Sequence, residues 1–146
     1  MPFSLFIRGM ISRLQLRHAD GKIAKNKSEI NDISKRTQEL KTVAEKIGAC
    51  AIGISKISEN ECYKDYKAPY KYAISIAYPM QFDVMKEHVT HLGGGLETIR
   101  AYTEITRIVV ELAKHIRTLG WPARAYCESA DILHIPLAIK SALVIS

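Results

Sequence analysis

The densest run of chemistry-bearing side chains is Arg124-Ala125-Tyr126-Cys127-Glu128-Ser129-Ala130-Asp131-Ile132-Leu133-His134-Ile135-Pro136. Glu128 stands where a short apolar stretch ends, and a carboxyl half removed from water stays neutral to higher pH and can deliver a proton near neutrality. The plainer use of the same residue is a surface acid that caps the next turn. Asp131 could serve instead, although a residue at that position commonly caps the following helix. Tyr126 and Tyr102 offer phenolic donors to a ligand, or fill the core as tyrosines on apolar faces usually do. Arg124 could grip an anion through two parallel hydrogen bonds or pair with a neighbouring acid.

Metal and phosphate chemistry find less support. His134 has no second ligand at helical or hairpin spacing, and His88 and His91, three apart, lack the two further ligands that zinc needs; no metal site is assigned. Gly93-Gly94-Gly95 ahead of a long apolar-periodic run could form a nest of backbone N–H groups for a phosphate. Neither the Rossmann nor the Walker spacing is present, however, and a flexible loop is the simpler reading. Cys50, Cys62 and Cys127 are dispersed and odd in number, so reduced thiols are expected and no 4Fe-4S cluster is expected in this chain.

The elements that must position these groups follow from periodicity. Met1 to Leu16 places Phe3, Phe6, Ile7, Met10, Ile11 and Leu14 near helical spacing, with Arg8, Arg13 and Arg17 toward another face. Packing on the domain or on a partner is preferred there over membrane-surface binding, because one short segment with three arginines anchors weakly. Ser28 is the expected cap of a helix carrying Ile30, Ile33, Leu40, Val43, Ala44 and Ile47 and ending at Gly48. Ala49–Ile54 and Tyr72–Tyr78 are β-prone runs, separated by a polar, tyrosine-rich excursion from Glu59 to Tyr70. A long helix is expected from about Leu96 to Leu119, with Gly120 at its left-handed end, Ala123–Cys127 as a further strand, and Pro136 opening a last helix. The expected class is α/β (α+β): a mixed sheet of a few strands covered by helices, with an N-terminal helical arm.

A chain of 146 residues suits one domain with a real core. No run approaches the roughly 20 apolar residues that span a bilayer, and no export signal is visible, so a cytoplasmic protein without a membrane span is expected. The net charge of +6 is uneven, since residues 1–46 hold ten Lys/Arg against five Asp/Glu and the rest is nearly balanced. Residues 1–27 read as a basic arm or linker and 28–146 as a single α/β domain. Aromatic residues are not interleaved with the basic ones, and no nucleic-acid partner is expected.

From Gly120 to Ala138 the order of residues resembles the end of the corrin-binding domain in the epoxyqueuosine reductase and reductive dehalogenase group of iron–sulfur proteins, whose pattern runs G-x-x-A-R-x-Y-x-D-[ST]-x-P-x-x-x-x-P-L-A. Gly120, Ala123, Arg124, Tyr126, Ser129, Pro136, Leu137 and Ala138 fall on it. Glu128 replaces the group's aspartate, and Asp131 its first proline. Ser141-Ala142-Leu143-Val144 stands where the group continues in glycines. Leu40–Met80 and Tyr102–Gly120 also look like this group.

The resemblance implies a cobalamin cofactor contacted by Tyr126, Ser129, Ala130, Asp131 and Pro136, with Glu128 as proton donor. It also implies a ferredoxin-like part with a cysteine run, which does not follow Ser146 here, so the domain reads as truncated at its C-terminal end. The expected function is thus a corrinoid-binding module of a cobalamin-dependent reductase-like protein, without turnover of its own. Its candidate partners are an iron–sulfur electron-transfer protein or the missing C-terminal part, and a second copy of the chain. The alternative is a non-enzymatic remnant or interaction module that retains the fold.

Overall fold

The computed structural model describes residues 3–87, 92–127 and 131–143. Within them lie α1 (Phe3–Leu16), α2 (Ile33–Ile47), β1 (Ala51–Lys56), a 3-10 turn at Glu59–Glu61, β2 (Tyr72–Ala77), α3 (Phe82–Glu87), α4 (Leu92–Thr118) and α5 (His134–Lys140). The expected mixture of helices and strands is present, with α1 as the N-terminal helix. The sheet is narrow: β1 and β2 pair antiparallel, with Ile52 opposite Ile76 and Ile54 opposite Ile74.

Alternation along β1 and β2 sends their two faces to different helices. Ile52, Ile74 and Ile76 pack on one side into a core of Ala44, Ala49, Ile108 and Leu112, contributed by α2 and α4. On the other side Gly53 and Ser55 are buried against α5, where the Ser55 hydroxyl donates to the Leu137 carbonyl at 3.4 Å. The sheet is therefore sandwiched between α2 with α4 and the short α5. Next along α4, Val110 and Ala113 meet Ala125 in a second cluster, with Ala19 and Ala123 packed against it. Helix α4 is the spine: its residues serve both clusters, and α1 packs along it.

Three local expectations are corrected. The cap of α2 is Asp32, whose carboxylate accepts from the backbone N–H groups of Ser34 and Lys35 at 2.8 and 3.2 Å, rather than Ser28. The Ser28 N–H is engaged by the Leu119 carbonyl, which holds residues 24–28 alongside the end of α4 and delays the helix start. The three glycines 93–95 lie inside the first turns of α4 rather than in a loop before it, because a helix of 27 residues with tertiary partners along its length outweighs about 1 kcal/mol per glycine.

Residues 121–127 form no strand. Their backbone is instead tied one group at a time, the Ala125 N–H to the Ala19 carbonyl at 2.8 Å and the Ala123 carbonyl to Arg117 at 2.8 Å. Pro136 is the third residue of α5, still within the first turn, where a missing N–H leaves no helical hydrogen bond unmade.

Candidate functional site

The approach to the acidic corner is fixed at Gly120. Its φ of +83° is left-handed, and a side chain there would stand 2.5 Å from the Asn26 carbonyl oxygen and 2.6 Å from Lys27 Cα. Only glycine lets α4 end this close to the preceding segment. Trp121 then folds back so that its indole N–H donates to the Ser28 carbonyl at 3.3 Å, with the Lys27 ammonium over its ring. Arg117, buried in the last turn of α4, donates to the carbonyls of His18, Ala19 and Ala123. Together these contacts aim residues 124–127 along a set course.

At the end of that course the Tyr126 hydroxyl meets the Tyr66 hydroxyl at 2.7 Å. Burial, reinforced by Tyr66, pushes the Tyr126 pKa up, so the phenol keeps its proton and its capacity to donate. The Arg124 guanidinium lies over the Tyr126 ring, 5.4 Å from its centre. Burial also pushes the Cys127 thiol up, which keeps it protonated and poorly nucleophilic. Glu128, Ser129 and Ala130 lie outside the described residues, as do His88 and His91.

Beyond the corner, the chain returns against the tyrosine-rich excursion. The Tyr63 N–H donates to the Asp131 carbonyl at 3.0 Å, Cys62 and Ile132 form an antiparallel bridge, and the Leu133 N–H donates to the Glu61 carbonyl at 2.7 Å. Glu61 is buried and accepts from Lys140 at 2.9 Å and from the Ser58 N–H. Lys140 foremost holds its carboxyl below the usual range. This pair fastens the 58–62 segment to the end of α5, and the same excursion meets Tyr126 through Tyr66 and residues 131–133 through residues 61–63.

Of the residues singled out in the sequence, Tyr126 and Asp131 thus each meet the excursion and Pro136 lies in the first turn of α5, with Asp131 and Pro136 exposed. Tyr102 is on α4 and exposed by 40 %, and among the described residues its side chain makes no hydrogen bond to this corner. His134 opens α5, and among the described residues no three His, Cys, Asp or Glu side chains converge as a metal site. Tyr66, Glu61 and Lys140 were not singled out. The unusual number of tyrosines between Glu59 and Tyr70 was the signal available for Tyr66.

No family model matches the chain, and no curated protein matches it in sequence. Solved structures do match. A catabolic reductive dehalogenase, NpRdhA, superposes with a TM-score of 0.85 at 16% identity, over 95% of this chain and 22% of that one. A reductive dehalogenase structure described as suggesting a mechanism for B12-dependent dehalogenation gives a TM-score of 0.74 at 22% identity, over 94% and 20%. NpRdhA in complex with 3-bromo-4-hydroxybenzoic acid gives 0.73 at 21% identity, again over 94% and 20%. The fold is therefore reductive-dehalogenase-like. The chain spans about a fifth of the length of these enzymes.

Proposed function

We propose that the chain is a corrinoid-binding module of a cobalamin-dependent reductase-like protein, of the kind found in epoxyqueuosine reductases and reductive dehalogenases, and that it needs further polypeptide to turn over. The observation that carries this reading is the likeness in fold along nearly the whole chain to a B12-dependent dehalogenase, at a TM-score of 0.74 and 94% coverage.

The donor set at the corner fits such a cofactor. A corrin ring is rimmed with amide side chains, which call for neutral hydrogen-bond donors and acceptors, and its flat faces call for apolar contact. Tyr126 supplies a phenol held protonated, Arg124 lies beside it, and Asp131 and Pro136 are exposed. Ile135 next to Pro136 is 73 % exposed, an apolar surface that no described residue covers. Two clefts, of about 520 and 350 Å³, lie elsewhere among the described residues, around Arg117 and along α2.

In this reading Tyr126, Ser129, Ala130, Asp131 and Pro136 contact the cofactor, which when bound supplies low-valent cobalt as the reducing centre. Glu128 holds the proton that the reduction consumes. Tyr66 positions Tyr126 and keeps its hydroxyl from turning away. The three cysteines are dispersed, so electrons come from an iron–sulfur partner or from a C-terminal part on the same polypeptide.

A second reading, an interaction module that retains the fold without the cofactor, draws on the exposure of Ile135 at 73 % and Ile139 at 60 %, one turn apart on α5. Titration with cob(II)alamin separates the two. The corrinoid reading expects a change in the visible spectrum that saturates; a spectrum unchanged at high protein concentration would leave the interaction reading.

A further inference from the structure

Helix α1 is oriented against the usual logic of a surface helix. On the side that meets α4 the Ser12 hydroxyl reaches Thr106 at 3.4 Å, and Gln15 Oε1 is buried without a hydrogen-bond partner among the described residues. Its apolar side faces out. Phe6, Met10 and Leu14, one turn apart, are exposed by 60, 48 and 47 %, and Ile7 and Ile11 beside them by 40 and 41 %. Water gains nothing by meeting such a stripe, and contiguous apolar surface of this kind marks a docking face.

The charges beside the stripe identify what covers it. At 100° per residue Arg13 falls about 20° from Phe6, at the edge of the stripe, Arg17 follows in the turn after the helix, and both are exposed. The helix contains no acidic residue, and the ion pairs among the described residues all lie elsewhere. A second copy of α1 would bring more arginines and no carboxylate to the interface. The expected packing on the domain holds for the side of the helix that meets α4; on the outer side a bilayer containing anionic lipids, apolar in depth and anionic at its face, satisfies both features at once.

We propose that α1 docks the protein in the plane of an anionic lipid surface, with Phe6, Met10 and Leu14 entering the acyl boundary and Arg13 and Arg17 meeting headgroup phosphates. The helix lies on the bilayer and does not cross it, since no helix among the described residues is long and apolar enough to do so. This site is separate from the Tyr126 corner and does not depend on the cofactor reading.

The test is co-sedimentation of the full chain with vesicles of phosphatidylglycerol and phosphatidylcholine mixed, and of phosphatidylcholine alone, with sedimentation velocity in the absence of lipid. The proposal expects binding to the mixed vesicles that weakens as salt rises, little binding to phosphatidylcholine, and a monomer without lipid. Phe6→Glu with Met10→Glu should abolish binding while the circular dichroism stays that of the parent, since both side chains are exposed. Arg13→Gln and Arg17→Gln should each weaken it about fivefold. Absence of binding to the mixed vesicles, equal binding to both vesicles, or binding unaffected by the paired glutamates would overturn it. So would a dimer in the absence of lipid that the paired glutamates dissociate, which would assign the stripe to a second copy.

Discussion

The hydroxyls of Tyr66 and Tyr126 meet at 2.7 Å across a sequence separation of 60 residues. One comes from an irregular excursion between the two strands and the other from the segment after α4, so this contact ties the two loops that border the acidic corner. Replacing Tyr66 by Phe keeps the ring and removes the hydrogen bond.

Tyr66→Phe should cost about 1 kcal/mol in urea denaturation. It should also lower the Tyr126 pKa, because the Tyr66 hydrogen bond is one of the causes that raise it, while burial, the larger cause, keeps it above that of an ordinary tyrosine. The Cζ chemical shift of Tyr126 in 13C-tyrosine-labelled protein, followed against pH in the parent and the variant, reads this residue alone. An unchanged titration would mean that the two hydroxyls are not paired in solution.

Two glycines in and after α4 should respond in opposite directions. Gly120→Ala must hold a left-handed φ and move the backbone at Asn26 and Lys27, and is expected to cost at least about 2 kcal/mol. Gly95→Ala places its methyl where nothing lies within 4 Å, on a helical backbone, and should stabilise by about 0.5–1 kcal/mol. Destabilisation by Gly95→Ala would argue that residues 93–95 are a loop in solution.

The acid limb of stability should carry the signature of Glu97. This carboxylate, 4 % exposed, takes two hydrogen bonds from Arg100 at 2.6 Å and one from the Gln81 N–H at 2.7 Å, and Arg100 in turn reaches the Tyr78 hydroxyl. The Arg100 hydrogen bonds above all hold its pKa down, at about 2 against an ordinary 4.5. A depressed folded-state value means that its contribution is complete above about 4.5 and is lost as pH falls from there toward 2. Glu97→Ala should cost about 2 kcal/mol near neutrality and flatten that limb. An acid limb as steep as the parent's would assign the effect to other carboxylates.

What the sequence made legible was local. Gly120, the two isoleucine-bearing strands and the body of α4 are each written in a few neighbouring residues, and each is present. The expectations that failed depended on distant partners. Ser28 has the right side chain for a cap, but its N–H is taken by Leu119, and Ala123–Cys127 has strand-like composition, but its backbone groups go to Ala19 and Arg117. At the candidate site, Tyr126 and Pro136 stand on positions of the pattern and Asp131 replaces its first proline, so the run from Gly120 to Ala138 is legible in neighbouring residues. Tyr66 and the Glu61–Lys140 pair acquire their roles only once the excursion folds back on the corner, and no spacing announces that.

Glu128 is the proposed proton donor. With an electron donor and a reducible substrate supplied, Glu128→Gln should keep cofactor binding, since the shape is nearly preserved, and lower the turnover rate by about 10²–10⁴. Full activity would exclude Glu128 as donor, and loss of binding would make it a structural cap.

The central claim is that the corner bracketed by Tyr126 and Asp131 holds a corrinoid. The most direct measurement is the Kd for cob(II)alamin from the change in visible absorbance, for the parent and for Ala130→Phe, with circular dichroism confirming that both are folded. The account predicts a saturable change for the parent and a loss of it when a bulky ring occupies position 130. No change for the parent, or an identical Kd for the folded variant, would contradict it.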